Sequence, residues 1–296
     1  KQISDILPFL GLDIESEDKD LVRIEYSPNR PDYSTDIGIA LGLQGLLGIK
    51  TGLLKLTVKS SKNYTITVKP TVSKIRPFVT GIIAKNGKID DKTIKQLMTM
   101  QEDLHFGIGR KRKKSSIGIH DLDKISFPLI YTTTTKNHKF IPLNSEKELS
   151  ISEIIADTET GKDYGHLLGQ SSQVPIILDT NQKTVSFPPI INAAVTTVTT
   201  KTKNLFVEVT GINKDDAEDM LSVVATILQS AGFSLEHIQI SGAKNSSPKL
   251  KEKTMIVNPS LINQTLGLNL NTSKIIASLK KSRLNAISKG KNIVCT

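Results

Sequence analysis

The sequence predicts a multidomain α/β (α+β) protein in which a central α/β sandwich is flanked by small helical or mixed domains. Three observations carry this prediction. A chain of 296 residues is long enough for two or three domains with buried cores. Strand-like and helix-like patterns are intermixed along the chain. The hydrophobic content of 38% and the charged content of 23% are ordinary for a folded protein.

The first part of the chain predicts a helix, a strand, a turn and a second helix. Apolar side chains within residues 3–10 have the spacing of one helical face, and residues 21–26 alternate as a strand does. Ser34 or Thr35 can cap a glycine-rich helix that begins at residue 36. A helix with three glycines is weakly specified, so we expect it to pack closely against a neighbour.

A larger unit begins near residue 75. One helix is predicted within residues 90–109, with Leu97, Met100 and Leu104 facing inward. Another is predicted to begin at Asp215, because Glu218 follows at the spacing of a capping box. Strand patterns accompany them in residues 78–85, 125–132, 175–179, 184–189 and 204–211.

The last part of the chain predicts a third, smaller unit after a polar linker. Asn258 can cap a helix whose first residue is Pro259, a position that suits proline. A second short helix is predicted from Thr272 or Ser273, and residues 292–296 read as a strand.

Composition narrows the class of protein. The net charge of +10 and the pI near 9.4 suggest a polyanionic partner such as nucleic acid, although a basic surface that binds nothing has the same charge. The single cysteine, Cys295, excludes an internal disulfide framework and favours a reducing, cytoplasmic setting. Apolar runs are all much shorter than the roughly 20 residues of a membrane span, so no membrane partner is expected.

The strongest local signal is a run of five basic residues, which can neutralise several phosphates and make binding dependent on salt. The alternative is a solvated loop or a targeting segment. A second basic group lies on or near the last predicted helix. The predicted nucleic-acid-binding residues are Arg110, Lys111, Arg112, Lys113, Lys114, Lys280, Lys281 and Arg283.

Motifs of common enzymes are missing from the sequence. It has no P-loop, no dinucleotide-binding glycine turn, no nucleophile elbow and no zinc-protease motif. His120 precedes Asp121 and Asp123, a spacing that could suggest a metal site or an acid–base pair. Because no second histidine lies near, we predict no metal site and interpret His120 as a structural residue or a pocket hydrogen-bonding group.

Glu208 interrupts an apolar strand, Leu205-Phe206-Val207-Glu208-Val209. On a strand, Glu208 shares one face with Phe206 and Thr210. The carboxylate is therefore either an ordinary solvent-facing glutamate or a group that looks into a cavity.

Six blocks of the sequence resemble, in the same order, the β subunit of archaeal and eukaryotic phenylalanyl-tRNA synthetase. The resemblance covers essentially the whole chain. Its blocks are SPNRPDYSTDIGIALGL, RPFVTGII, LHFGIGRKRKKSSIGIHDLDKI, SFPPIIN, TKNLFVEVTG and LNAISKGKNIV.

The resemblance implies the N-terminal part of that subunit. It implies a small B1-like α/β domain in residues 1–74, a B3/B4 tRNA-editing domain in 75–245, a linker in 246–254 and a truncated B5-like domain in 255–296. In this family the α subunit activates phenylalanine, and the B3/B4 domain hydrolyses mischarged Tyr-tRNA(Phe). The implied partners are tRNA(Phe), the α subunit of an α2β2 enzyme, and tyrosine as the editing ligand. No cofactor is expected for this chain, whereas ATP and Mg²⁺ are expected for the full synthetase.

The resemblance also implies an editing pocket. Glu208 matches the carboxylate that recognises tyrosine, and His120 lies in a matching block without an assigned role. The other implied pocket residues are Thr210, Ser186, Asn192 and an apolar wall formed by Ile177 or Leu178. The chain departs from its relatives at Ala193-Ala194-Val195, where they often carry a polar or charged run.

Two functional hypotheses follow. The first is an editing esterase within a tRNA ligase, and the second is a non-catalytic module that binds tRNA and assembles subunits. Metal-dependent hydrolysis is disfavoured because the sequence offers no cluster of ligands.

Overall fold

The structure is a computed structural model that describes residues 3–19, 21–241, 247–248 and 252–296. Its helices are α1 (Asp36–Leu46), α2 (Asp91–Phe106), α3 (Ile151–Asp157), α4 (Glu159–Tyr164), α5 (Lys214–Ser230), α6 (Pro259–Leu266) and α7 (Thr272–Lys281). Its strands are β1 (Asp13–Glu17), β2 (Val22–Glu25), β3 (Val58–Lys59), β4 (Thr65–Val68), β5 (Phe78–Lys85), β6 (Ser115–Asp121), β7 (Leu129–Thr135), β8 (Lys139–Phe140), β9 (Leu149–Ser150), β10 (Gln173–Leu178), β11 (Thr184–Phe187), β12 (Ile191–Asn192), β13 (Leu205–Gly211), β14 (Ser234–His237), β15 (Gln239–Ile240), β16 (Met255–Val257), β17 (Ala286–Lys289) and β18 (Asn292–Cys295). The predicted mixed α/β class is confirmed.

The chain divides into two compact units. Thr57–Leu250 forms the central unit, and Lys1–Leu56 together with Lys251–Thr296 forms the terminal unit. This division differs from the predicted boundary between residues 74 and 75, because β3 pairs with β14 and β4 pairs with β7 and β15. Those partners lie far along the chain, where local patterns give no sign of them. The predicted linker, 246–254, lies partly outside the described residues.

The terminal unit contains most of its predicted elements. Thr35 caps α1 by accepting a hydrogen bond from the backbone N–H of Gly38, at 3.0 Å. Asn258 caps α6 in front of Pro259, as predicted. The predicted first helix is instead two short 3₁₀ helices, Ile3–Asp5 and Leu7–Leu10. The reason is Pro8, which has no N–H to continue a longer helix.

Within the terminal unit the two ends of the chain pack closely together. A Cβ at Gly45 of α1 would lie 2.3 Å from the carbonyl oxygen of Lys281 at the end of α7. The N–H of Gly52 donates to the carbonyl of Lys280 at 2.7 Å, and Arg283 donates to the carbonyl of Lys50 at 2.5 Å. The glycine-rich α1 therefore makes the close packing that its sequence predicts.

The central unit is a sandwich of two sheets. The six-stranded sheet has the order β12-β11-β10-β7-β4-β15, and the five-stranded sheet has the order β3-β14-β5-β13-β6. Apolar side chains from both sheets meet in one buried cluster that includes Tyr131, Ile177 and Phe206. In the five-stranded sheet β13 lies between β5 and β6 and is antiparallel to both.

Helices cover the sandwich. Helix α5 contacts β5 and β13, and it buries Ala217, Met220, Leu221 and Val224. The helix begins at Lys214, one residue before the predicted start at Asp215. Its cap is Asn213, whose side-chain oxygen accepts hydrogen bonds from the backbone N–H groups of Asp215 and Asp216. The predicted capping box at this helix is therefore wrong.

Helices α3 and α4 are absent from the sequence-based predictions. Ile151 and Ile154 of α3 pack in a buried cluster with Phe140 and Phe187. A capping box does open α3, between Ser150 and Glu153. The Ser-x-x-Glu signal was therefore present in the sequence, ahead of a helix too short for a clear apolar period. Within the described part of the chain, every helix is too short or too polar to span a bilayer.

Candidate functional site

Glu208 lies in the middle of β13 and points into the interior between the two sheets. Its side chain is almost fully buried, with 2% exposure. Directly opposite it are two glycines, Gly81 on β5 and Gly118 on β6. Cross-strand neighbours share a face, and these two glycines let other groups approach closely: a Cβ at Gly81 would lie 3.1 Å from Ile238, and one at Gly118 would lie 2.8 Å from Oε1 of Glu208. The interpretation of Glu208 as a solvent-facing glutamate is wrong.

The carboxylate has one protein hydrogen bond. Ser186 on β11 donates from its hydroxyl to Oε1 of Glu208 at 2.9 Å. The other oxygen, Oε2, is buried and has no hydrogen-bond partner among the residues that the structure describes. Burial raises the pKa of Glu208 to about 7, against the opposing effects of the Ser186 hydrogen bond and the positive charge of Arg76. The carboxyl is thus harder to ionise than that of an exposed glutamate.

His120 on β6 is fully buried and stacks on Phe206, with 5.5 Å between ring centroids. Its Nδ1 lies 2.8 Å from the hydroxyl of Thr196, and that hydroxyl donates to the carbonyl of Ala193 at 3.1 Å. Since the hydroxyl has a single proton, Nδ1 must donate to it, which leaves Nε2 as an acceptor. Burial lowers the pKa of His120 to about 3, so the ring is neutral. Nε2 has no partner in the described part of the chain.

Three polar groups converge above Gly118. A Cβ at this position would lie 2.5 Å from Nε2 of His120, 2.8 Å from Oε1 of Glu208 and 3.0 Å from Oδ1 of Asn192. The amide nitrogen of Asn192 donates to the carbonyl of Ile119 at 3.4 Å. Strands β6, β12 and β13 therefore bring a carboxylate, an imidazole and an amide to one point. This is the candidate site.

Two other predicted pocket residues have supporting positions. The hydroxyl of Thr210 is fully buried and accepts from Nε of Arg76 at 2.8 Å, and it lies 3.2 Å from the hydroxyl of Ser116. Thr210 thus helps to hold the positive charge of Arg76 near the site. Ile177 lies opposite Ser186 and packs with Phe206. Of the two predicted wall residues, Ile177 thus lies across from the residue that hydrogen-bonds Glu208, whereas Leu178 is not a member of this buried cluster.

The arrangement favours recognition of a hydroxyl group. Oε2 of Glu208 and Nε2 of His120 are both acceptors, and buried acceptors without donors are costly. A ligand that donates hydrogen bonds would satisfy them. Across the described residues no three His, Cys, Asp or Glu side chains are grouped as metal ligands would be.

Comparison with known proteins identifies the family of this chain. The family model of the B3/4 domain matches residues 63–221, which include β5, β6, β11, β12 and β13. The crystal structure of an N-terminal fragment of the phenylalanyl-tRNA synthetase β subunit from Pyrococcus horikoshii matches with a TM-score of 0.93 and 30% identity. That match covers 100% of this chain and 88% of the fragment. The chain belongs to the phenylalanyl-tRNA synthetase β-subunit family.

The β subunits of phenylalanine–tRNA ligase from Methanosphaera stadtmanae and Archaeoglobus fulgidus are 38% and 37% identical to this chain. These matches cover 96% and 97% of the chain and 52% of each relative. The chain therefore spans about half the length of the curated relatives it matches. The recognition of this family from the sequence, including its archaeal type, is confirmed.

The run of five basic residues, 110–114, forms a strained turn that we call the basic turn. Arg110, Lys111 and Arg112 have φ angles of 49°, 53° and 64°, so three successive residues adopt the left-handed conformation. Each such residue costs about 1–2 kcal/mol unless other contacts offset it. Arg110, Lys111, Lys113 and Lys114 are exposed, and Lys114 forms an ion pair with Asp216 at 3.2 Å.

Arg112 does not share the exposure of its neighbours. It donates to the carbonyls of Ile190 and Pro189 at 2.9 and 3.3 Å, pairs with Glu102 at 2.9 Å, and stacks over Tyr164. The structure therefore contradicts the prediction that Arg112 binds nucleic acid. Its side chain anchors the basic turn to the sandwich, a role that a run of like charges in the sequence conceals.

We expect Arg112→Ala to lower the free energy of unfolding by about 2–4 kcal/mol, because it leaves two carbonyls without this donor and removes the ion pair with Glu102. Lys111→Ala is the matched control. That neighbour is exposed, and its Nζ lies 5.6 Å from the centre of the Phe106 ring, so its loss should cost at most about 1 kcal/mol. Urea denaturation of both variants measures the difference. Equal losses would contradict the anchoring role.

The second basic group, Lys280, Lys281 and Arg283, also contains both exposed side chains and one that is partly buried. Lys280 and Lys281 are exposed at the end of α7, where cations suit the helix dipole. Arg283 is half-buried and donates to the carbonyl of Lys50. The two lysines remain predicted contacts for nucleic acid, whereas Arg283 has a structural contact within the terminal unit.

Proposed function

We propose that the B3/4 domain of this chain hydrolyses the ester of tyrosine that has been attached by error to tRNA(Phe). The single observation that carries the proposal is that, among the described residues, neither the buried Oε2 of Glu208 nor Nε2 of His120 has a hydrogen-bond partner. A phenol hydroxyl supplies the missing donor.

The chemistry of the error explains why such a group is useful. Phenylalanine and tyrosine differ by one hydroxyl, and an apolar pocket cannot strongly reject a substrate that adds one. A second site that hydrogen-bonds the hydroxyl selects the erroneous ester positively. A hydrogen bond to a charged group contributes about 1.5–3 kcal/mol, which corresponds to a preference of about 10- to 100-fold. A phenylalanyl ester leaves the carboxylate unsatisfied.

Hydrolysis of the ester needs an oriented water and support for the oxyanion that forms. In this proposal Glu208 binds the phenol, and His120 accepts a hydrogen bond from the water or from a ribose hydroxyl. The low pKa of His120 makes it a poor base, so its role is to orient a donor rather than to remove a proton. Water adds to the ester carbonyl, and the ribose oxygen leaves with a proton.

The test compares deacylation of Tyr-tRNA(Phe) and Phe-tRNA(Phe) by the chain and by Glu208→Gln. We expect the variant to hydrolyse the tyrosyl ester about 10- to 100-fold more slowly and to lose its preference over the phenylalanyl ester. Glu159→Gln, which changes an exposed carboxylate on α4, is the control and should retain the wild-type rate. A tyrosyl rate that Glu208→Gln leaves unchanged would remove this site from the reaction.

We infer that the whole protein works with an α subunit, as an α2β2 phenylalanine–tRNA ligase of the cytoplasm that binds tRNA(Phe). In that enzyme the ATP and Mg²⁺ needed for activation belong to the complete assembly. A second candidate function for this chain alone is a non-catalytic module for tRNA binding and subunit assembly. The exposed lysines of the basic turn favour it, and retention of tRNA binding without any deacylation would select it.

A further inference from the structure

We propose that a cavity in the central unit, lined by Arg76 but not by Glu208, binds the phosphate group of a nucleotide. This Arg76 cavity encloses about 380 Å³, which is within the range of small-ligand sites. Its polar side chains are Arg76, Lys113 and His166, and its apolar wall includes Leu168, Pro175 and Pro189. The inference does not depend on the editing reaction.

Arg76 is a buried cation whose contacts are all neutral. It is 4% exposed. Its guanidinium donates to the carbonyl of Thr210 at 2.8 Å and to the hydroxyl of Ser116 at 3.1 Å, besides the Thr210 hydroxyl. No carboxylate of the described chain is within ion-pair distance of it, although Glu208 attracts it from further away. Buried charges are ordinarily paired, so the site is short of one anion.

Arg76, which lines the cavity, has spare donor capacity at Nη1. Its Nε and Nη2 atoms make the close hydrogen bonds. Nη1 has two protons but makes a single, long hydrogen bond to the carbonyl of Lys113, at 3.4 Å. A guanidinium edge with spare N–H groups is the geometry that recognises phosphate oxygens.

The basic turn places a second cation at this cavity. Arg76 donates to the carbonyls of Arg112 and Lys113, at 3.3 and 3.4 Å, so it holds the end of the strained turn. The exposed side chains of Lys113 and His166 then line the cavity, and none of the residues around it is acidic. Backbone strain of this kind is typical of residues held in place for binding.

The chemistry of the lining fits a nucleotide better than a bare anion. Phosphate oxygens match Arg76, Lys113 and the imidazole of His166. The leucine and the two prolines offer an apolar surface to a ribose or a base. The same phosphate could belong to a free nucleotide or to a nucleotide within an RNA, and the two sources are separated by experiment.

The experiment titrates AMP and, separately, inorganic phosphate into the 296-residue chain by calorimetry at constant ionic strength. The variants are Lys113→Gln, which changes a cavity residue, and Lys111→Gln, which removes the same charge from the same turn outside the cavity. If the ligand is a free nucleotide, we expect saturable binding of AMP that Lys113→Gln weakens about tenfold and Lys111→Gln leaves within about twofold.

The second arm measures tRNA affinity of the same proteins. If the ligand is a nucleotide of RNA, we expect no saturable AMP binding, and Lys113→Gln weakens tRNA binding about tenfold while Lys111→Gln has the small effect of one lost surface charge. If neither ligand distinguishes the two lysine variants, the proposal is overturned, even where AMP binds. Deacylation by Glu208→Gln tests the editing function separately, so either proposal can fail while the other stands.

Discussion

We expect Glu208→Gln to raise the free energy of unfolding by about 3 kcal/mol at pH 8 and to leave it nearly unchanged at pH 4, because burial raises the pKa of the carboxyl more than Ser186 and Arg76 lower it. In the unfolded chain the group loses its proton near the ordinary value of 4.5, whereas in the fold it keeps the proton up to about pH 7. Between these values the folded state binds more protons. Wild-type stability therefore falls, relative to the variant, as pH rises from 4.5 to 7 and is level above that.

Urea denaturation of both proteins at several pH values measures this difference. All other titrating groups are common to the two proteins, so the difference isolates position 208. Glu159→Gln provides the control, because an exposed carboxylate should give a small and nearly constant difference. A difference for Glu208→Gln that does not change with pH would mean that the carboxylate is solvated. It would thus contradict the geometry on which the candidate site depends.

Gly118→Ala is expected to abolish recognition of the tyrosyl ester. Its methyl group would lie within 3.0 Å of Nε2 of His120, Oε1 of Glu208 and Oδ1 of Asn192, so at least one of these groups must move. A displacement of about 1 Å in such a site typically costs about 100-fold in rate. Overpacking should also lower the free energy of unfolding by about 1–3 kcal/mol.

Ser115→Ala is the matched control on the same strand. It removes a buried hydroxyl that has no hydrogen-bond partner in the described part of the chain, so the deacylation rate should be retained. Deacylation of Tyr-tRNA(Phe) and thermal unfolding are measured for both variants. Wild-type activity in Gly118→Ala would show that the tyrosyl ester binds elsewhere.

The sequence predicted the strands of the sandwich and the long helices well, because each has its own apolar period. Helix α2 buries Leu97, Met100 and Leu104 as predicted. The sequence did not predict which strands pair, since the partners of β3 and β4 lie roughly 60 or more residues away along the chain. Short helices such as α3 also escaped, because seven residues give too few turns for a period to emerge.

The site was only half visible in the sequence. A glutamate within an apolar strand drew attention to position 208, but its burial depends on the facing sheet. The clearest signal that was missed is a glycine inside each of two other apolar strands, Gly81 and Gly118. A strand glycine often marks a place where another group approaches the backbone closely. Arg76 gave no signal, since its role depends on Thr210 and Ser116, which come from two other strands.

The terminal unit is built from two segments that are far apart in the sequence, and this has a consequence for its synthesis on the ribosome. Gly45 and Gly52 are translated roughly 230 residues before Lys281 and Lys280, the residues they pack against. At about 5–20 residues per second, α1 waits roughly 10–45 s for that neighbour. The central unit can emerge and fold in that interval, so nascent chains should acquire the sandwich first and close the terminal unit last.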